Sequence, residues 1–140
     1  MLLVGIGNLL RGDDGLGPKI IAALEGKVKA DLLDVGEVPE SYTGKILAAH
    51  ADTIVLIDAV DFGAAPGDLA ILEPEDFAAR TVSTHRMSLG LFSRYIQENS
   101  HADLFALGIQ PAKIGLGESM SPAVARSVQG LAELLKGMLA

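Results

Sequence analysis

Short apolar runs, too brief for helices, alternate along the chain with segments whose apolar residues recur at helical spacing. Residues 1–4 open as a buried strand. Residues 18–24 follow as a short helix, with Ile20, Ile21 and Leu24 on one face, Pro18 in the first turn and Gly26 as the stop. Residues 29–35, ending Leu32-Leu33-Asp34-Val35, read as a second strand, and residues 40–49 as a weaker helix interrupted by Gly44. Residues 53–60 carry Ile54-Val55-Leu56-Ile57, a continuous β-rich run that expects cover on both faces and therefore a central place. Ala64-Ala65-Pro66-Gly67 is turn chemistry, and residues 68–72 after it are short enough for an antiparallel edge strand joined by a hairpin-like connection. Ser83 or Thr84 suits the cap of a helix over about 86–98, where Leu89, Phe92 and Ile96 share a face. Residues 103–109 read as the last strand. Ser121-Pro122 then starts a terminal helix striped by Val124, Val128, Leu131, Leu135 and Met138, despite Gly130.

The order β-α-β-α-β-β-α-β-α predicts an α/β fold, a three-layer α/β/α sandwich around a mixed, mostly parallel five-stranded sheet. Right-handed crossovers place the loops after the first, third and fifth strands along one rim. No repeat, linker or low-complexity tract divides residues 1–140, and the length of 140 residues with 49% hydrophobic content fits a single domain with a sizeable core.

Charge and composition narrow the function. Eighteen acidic residues against eleven basic ones give a net charge of −7, and no Lys/Arg cluster offsets it, which argues against nucleic acid and anionic membranes as partners. The absence of cysteine removes thiolate metal sites, disulfides and cysteine nucleophiles, and favours the cytoplasm. No stretch reaches the roughly 18 apolar residues of a membrane helix, and the N-terminus lacks the basic start and long apolar core of a signal peptide.

The segment Gly5-Ile6-Gly7-Asn8-Leu9-Leu10-Arg11-Gly12-Asp13-Asp14-Gly15-Leu16-Gly17 puts two adjacent carboxylates at the C-terminal end of the first strand, where open α/β sheets bind ligands. Asp58 ends the third strand, and His85 precedes a helix. The layered arrangement brings Asp14 and Asp58 to the same rim and lets the helix start carry His85 towards them. Two carboxylates and an imidazole suit a divalent transition metal such as Ni, Zn or Fe with positions left open. A helix N-terminus also keeps the imidazole neutral, as ligation requires.

Each of these residues has a plainer reading. Asp14 can equally cap the helix at Pro18 or close a turn. Asp13 reads as structural or solvated, Asp61 as a turn residue before Phe62-Gly63 with a supporting role beside the site as the alternative, and a lone His85 as a loop residue. His50 and His101, each in His-Ala-Asp, read as surface positions. Asp58 is harder to dismiss, because a carboxylate ending a core strand needs partners or a cleft.

Competing motifs are incomplete. Gly5-Ile6-Gly7 with Asp34 as the ribose acid partly matches a dinucleotide fingerprint, but Leu10 stands where its third glycine belongs. Gly117-Glu118-Ser119-Met120-Ser121 lacks the closing glycine of a nucleophile elbow, and neither a Walker loop nor His-Glu-x-x-His occurs.

Taken together, Gly5-Ile6-Gly7-Asn8 with Gly12-Asp13-Asp14-Gly15 and Gly17-Pro18, Ile57-Asp58-Ala59-Val60-Asp61, Pro66-Gly67, Thr84-His85 with Leu89, and Gly108-Ile109-Gln110-Pro111 resemble the hydrogenase maturation endopeptidases nearly end to end. The resemblance is strongest to the branch that processes the large subunit of hydrogenase 3-type [NiFe] enzymes. It implies an α/β/α endopeptidase that removes a C-terminal extension from a nickel-loaded large-subunit precursor. The family's metal-contacting residues fall on Asp14, Asp58 and His85. The nickel belongs to the precursor in this picture, so no tightly bound cofactor is expected, and nothing requires more than a monomer. Many relatives carry Glu at the position of Asp14 and Gly-Gly after the second-strand acid, where this chain has Val35-Gly36; the C-terminal tail of longer members is absent.

Cleavage then follows either from a carboxylate acting as general base on water, with Asp14 as first choice and Asp58 as the second catalytic acid, or from metal polarisation of the scissile carbonyl. Gln110 is expected in the cleft wall and Gly36 as a point of close backbone access. Two other functions remain open on the sequence: a dinucleotide-binding domain dependent on Asp34, and a non-catalytic nickel carrier or precursor-docking protein.

Overall fold

Alternation along the third strand sets the architecture. In the computed structural model, which describes residues 1–82 and 86–140, β3 (Thr53–Ala59) sends Ile54 and Leu56 into one apolar layer and Val55, Ile57 and Ala59 into the other, all of them buried. β1 (Leu2–Ile6) divides the same way, with Leu2, Val4 and Ile6 on one face and Leu3 on the other. Burial on both faces is what a continuous apolar run demands, and helices supply the cover.

One layer holds α1 (Leu16–Leu24) and α5 (Pro122–Leu139). The opposite layer holds α2 (Thr43–Ala48), α3 (Pro74–Arg80) and α4 (Arg86–Asn99). The sheet order is β2 (Asp31–Gly36), β1, β3, β5 (Asp103–Ile109), β4 (Leu69–Leu72), with β4 alone antiparallel. This is the expected three-layer α/β fold with a mixed, mostly parallel five-stranded sheet. The chain leaves β1 towards β2 on one side and β3 towards β4 on the other, which opens a crevice beyond their C-terminal ends.

Several expectations change in detail. The fourth strand is an antiparallel edge strand, but it pairs with β5, from Leu69 opposite Ile109 to Leu72 opposite Ala106, and is not hairpinned onto β3. Its turn is anchored at the end of β5: Gly67 N–H donates to the Gln110 carbonyl at 2.8 Å and Gln110 N–H to the Asp68 carbonyl at 2.9 Å. An unanticipated helix, α3, follows it, with Pro74 in the first turn and Phe77 wholly buried. The weak helix at 40–49 divides into a 3₁₀ turn, Pro39–Tyr42, and α2, and Gly44 lies inside α2 without breaking it. On α5 the stripe holds through Val128 and Leu131, but Met138 faces solvent and Leu139 packs on the core in its place.

Two glycines let α1 lie close on the sheet. A Cβ on Gly17 would stand 2.5 Å from the carbonyl oxygens of both Ile57 and Ile6, and one on Gly5 would stand 2.7 Å from the Gly17 carbonyl. The helix therefore starts hard against β1 and β3, and the turn before it is held at their C-terminal ends.

Candidate functional site

That turn is the 3₁₀ segment Gly12–Gly15, which packs against β3. Gly7, at φ +144°, lets it approach: a side chain there would run into the Asp14 carbonyl, 1.8 Å from an ideal Cβ. The Asn8 N–H is shared between the Asp14 carbonyl and Asp14 Oδ2, each at 3.2 Å. Asp14 does not cap α1, whose N-cap is Gly15 and carries no side-chain hydrogen bond.

The adjacent acids have opposite surroundings. Asp13 is fully buried, and its Oδ2 accepts from Ala112 N at 2.8 Å, Lys113 N at 2.9 Å and Ser121 Oγ at 2.5 Å, while Oδ1 accepts from Ser121 N at 2.7 Å. Burial pushes this carboxyl up, but the Ser121 hydroxyl and the backbone N–H groups of Lys113, Ser121 and Ala112 outweigh it and hold Asp13 below its ordinary value. Asp13 is thus a clamp between the loops after β1 and β5, structural and not solvated. Asp14 goes the other way. Burial raises it, the Asn8 N–H opposes, and Glu37 and Arg11 contribute opposing charges.

Asp58 ends β3 at 1% exposure. Its Oδ1 accepts from its neighbour Ala59 N at 2.7 Å and its Oδ2 from the Thr81 hydroxyl at 3.2 Å. Burial lifts its pKa well above the ordinary carboxylate value, the negative charge of Asp14 lifts it further, and the two hydrogen bonds only partly compensate. The fold therefore brings Asp14 and Asp58, 44 positions apart by number, into electrostatic contact at the crevice between β1 and β3. Two neighbouring carboxylates of raised pKa attract a cation, and either can take a proton from water.

His85, the third expected ligand, lies outside the described residues. Among the described residues no group of three His, Asp or Glu side chains is disposed to hold a metal ion. His50 and His101 lie at the far end, in and beside the cleft between Ala51 and Ala102. Thr81, which the sequence did not single out, is the side chain that steadies Asp58. Its only sequence signal is its place four residues before His85.

Gln110, expected in the cleft wall, acts as a tie beyond the end of β5. Its Oε1 accepts from Phe62 N at 2.9 Å and Ala64 N at 3.2 Å, and its Nε2 donates to Asp61 Oδ1 at 3.1 Å. Asp61 itself accepts from Gly63 N at 3.2 Å, the turn role expected of it. Gly36, at φ +55°, receives the Gly7 N–H at 2.9 Å and lines, with Asn8, Pro18 and Glu37, a cleft of about 310 Å³ beside the Asp14 turn. Asp34 borders the same cleft, but its Oδ1 accepts from the Gly36 N–H at 2.9 Å.

Fold and site together define a doubly wound α/β/α domain with an interacting pair of acids at its switch point. A family model for hydrogenase maturation protease (HycI) matches residues 18–137. The hydrogenase 3 maturation protease of Escherichia coli K12 is 30% identical over 139 residues, spanning 97% of this chain and 88% of that protein. The crystal structure of a [NiFe] hydrogenase maturation protease HycI from Thermococcus kodakarensis KOD1 superposes with a TM-score of 0.87 at 38% identity, over 99% of this chain and 90% of that one. The solution structure of the E. coli endopeptidase HycI gives 0.87 at 29% identity over 97% and 88%. The chain belongs to the hydrogenase maturation proteases and is an endopeptidase of that family.

Proposed function

We propose that this endopeptidase removes the C-terminal extension of a [NiFe] hydrogenase large-subunit precursor and recognises the nickel that the precursor carries, through Asp14, Asp58 and His85. The observation that carries this reading is the strained pair: a carboxylate at 1% exposure, raised by burial and by a second acid beside it, with two neutral hydrogen-bond donors as compensation. A buried charge in that state calls for a cation. A substrate that brings its own metal supplies one and leaves with it, so the protein holds no tightly bound cofactor. Soft capture is consistent with turnover, since the product must depart.

In this reading nickel docking fixes the precursor and lays its scissile peptide in the crevice. Asp14, raised above its ordinary value, is the general base towards water, and Asp58 anchors the metal. Polarisation of the scissile carbonyl by the precursor's metal is the alternative route to the same bond cleavage. We place the reaction in the cytoplasm and assign it to the monomer. No helix of the described residues is long and apolar enough to cross a membrane.

The test is the mass of a large-subunit precursor after incubation with the protein, with and without prior nickel loading. A shortened product only after loading is expected. Asp58→Ala and His85→Ala should each lower turnover by at least about a hundredfold with the fold retained, and full cleavage by both removes metal docking. Undiminished turnover by Asp14→Asn excludes Asp14 as the base. Nickel-dependent association without a shortened product would mark a docking protein instead.

A further inference from the structure

The loop that carries Asp14 also presents bare aliphatic side chains to solvent. Leu9 is exposed and Leu10 is 68% exposed, just ahead of Arg11 and the Asp13–Asp14 turn. Opposite them, in the loop after β5, Ile114 is exposed and Leu116 is 69% exposed. The two segments are fastened to each other. Gly117 N–H donates to the Leu10 carbonyl at 2.8 Å, Asp13 N–H to the Lys113 carbonyl at 2.8 Å, and the Asp13 carboxylate holds Ala112, Lys113 and Ser121. Gly12 makes the close approach possible, since a Cβ there would stand 2.6 Å from the Lys113 carbonyl.

Hydrophobic side chains collected on a braced loop, beside a catalytic crevice, are not surface scatter. A flexible loop would fold them away from water; this one is pinned open by a fully buried carboxylate. We propose that Leu9, Leu10, Ile114 and Leu116 form an apolar ridge that grips an aliphatic stretch of the precursor polypeptide next to the bond being cut. The inference rests on the precursor-processing reading above and adds to it a determinant for the polypeptide, separate from the metal.

The occupant follows from position and charge. Leu9 and Leu10 share a loop with Asp14, and the loop of Ile114 and Leu116 is tied to it, so a segment lying on the ridge is next to the crevice. Arg11 and Lys113 flank it, against Glu118 on the same loop, in a molecule whose net charge is −7. A segment with aliphatic side chains and a carboxylate nearby matches that surface better than another acidic copy of this chain does.

The experiment compares wild type, the double variant Leu10→Ser/Leu116→Ser, and a control, Leu134→Ser, at an exposed position on α5. Steady-state cleavage of the nickel-loaded precursor is measured alongside sedimentation velocity. The double variant should raise KM at least about tenfold more than it lowers kcat, a floor that corresponds to burying only part of the two leucines on binding, and the control should match wild type. A KM within about twofold of wild type overturns the ridge, and so does a wild-type dimer that the double variant dissolves without any change in KM. Should the double variant melt early, Leu10→Lys alone decides by the same criterion. Failure of wild type itself to shorten the precursor would instead sink the processing reading, so the two failures are told apart.

Discussion

Adjacent identical side chains take opposite fates here because of what each can reach. Asp13 accepts four hydrogen bonds from residues 99 to 108 positions away and is held low; Asp14 accepts from Asn8 and is held high. Replacing Asp13 by Asn turns one acceptor oxygen into a donor that faces donors. Leaving buried N–H groups unpaired costs about 1–3 kcal/mol each, so Asp13→Asn should lose about 3 kcal/mol in urea unfolding and lose cleavage with it, through a loosened loop. A change below about 1 kcal/mol would show that the clamp contributes little. The sequence separates the two acids only as far as reading Asp13 as structural or solvated and Asp14 as a ligand; the partners of Asp13 lie about a hundred positions away, and Ser121 reads only as a helix start. The pairing of Asp14 with Asp58 was legible, because parallel strands bring their C-terminal ends to one rim whatever the intervening length. Thr81 was not, since a lone threonine carries no signal until its hydroxyl is seen to point at a buried carboxylate.

At the scale of elements, the site depends on how closely α1 sits on the sheet. Because a Cβ on Gly17 would stand only 2.5 Å from two backbone carbonyl oxygens, Gly17→Ala must lift the helix start, and the Asp14 turn precedes it directly. Backbone obstructions do not rotate aside, so overpacking of this kind should cost about 2–3 kcal/mol. Thermal melting should show the drop, and cleavage should fall further than stability accounts for; a variant that melts and cleaves like wild type would show that α1 can shift freely. Most elements were readable from periodicity because their apolar runs are long or cleanly spaced, as in Ile54-Val55-Leu56-Ile57. The misses were short or two-bodied. α3 has seven residues with one large buried side chain, Phe77, too few to set a period. The partner of β4 depends on a turn pinned by Gln110, more than 40 positions later, which no local pattern encodes.

For the whole molecule, the acids set a stability profile with two limbs. Asp13, lowered from an ordinary value of 3.8, contributes stability above that value and loses it as the pH falls through its folded value. Asp58, raised from the same 3.8, binds its proton more tightly in the folded state. Its contribution is therefore full below 3.8 and is lost as pH rises through its folded value, and Asp14 adds to that limb. The stability these two acids contribute at low pH is thus given up as the pH rises through their folded values, a cost in keeping with a site held for function. Asp58→Asn removes that limb while retaining an oxygen for the Ala59 N–H. Its melting temperature relative to wild type should rise as the pH climbs above 3.8 and through the folded value of Asp58, by about 3 °C for each kcal/mol relieved in a domain of this size, although its cleavage is lost. A difference that stays constant with pH would mean that Asp58 does not titrate against folding, and the strain on which the proposed nickel recognition rests would be absent.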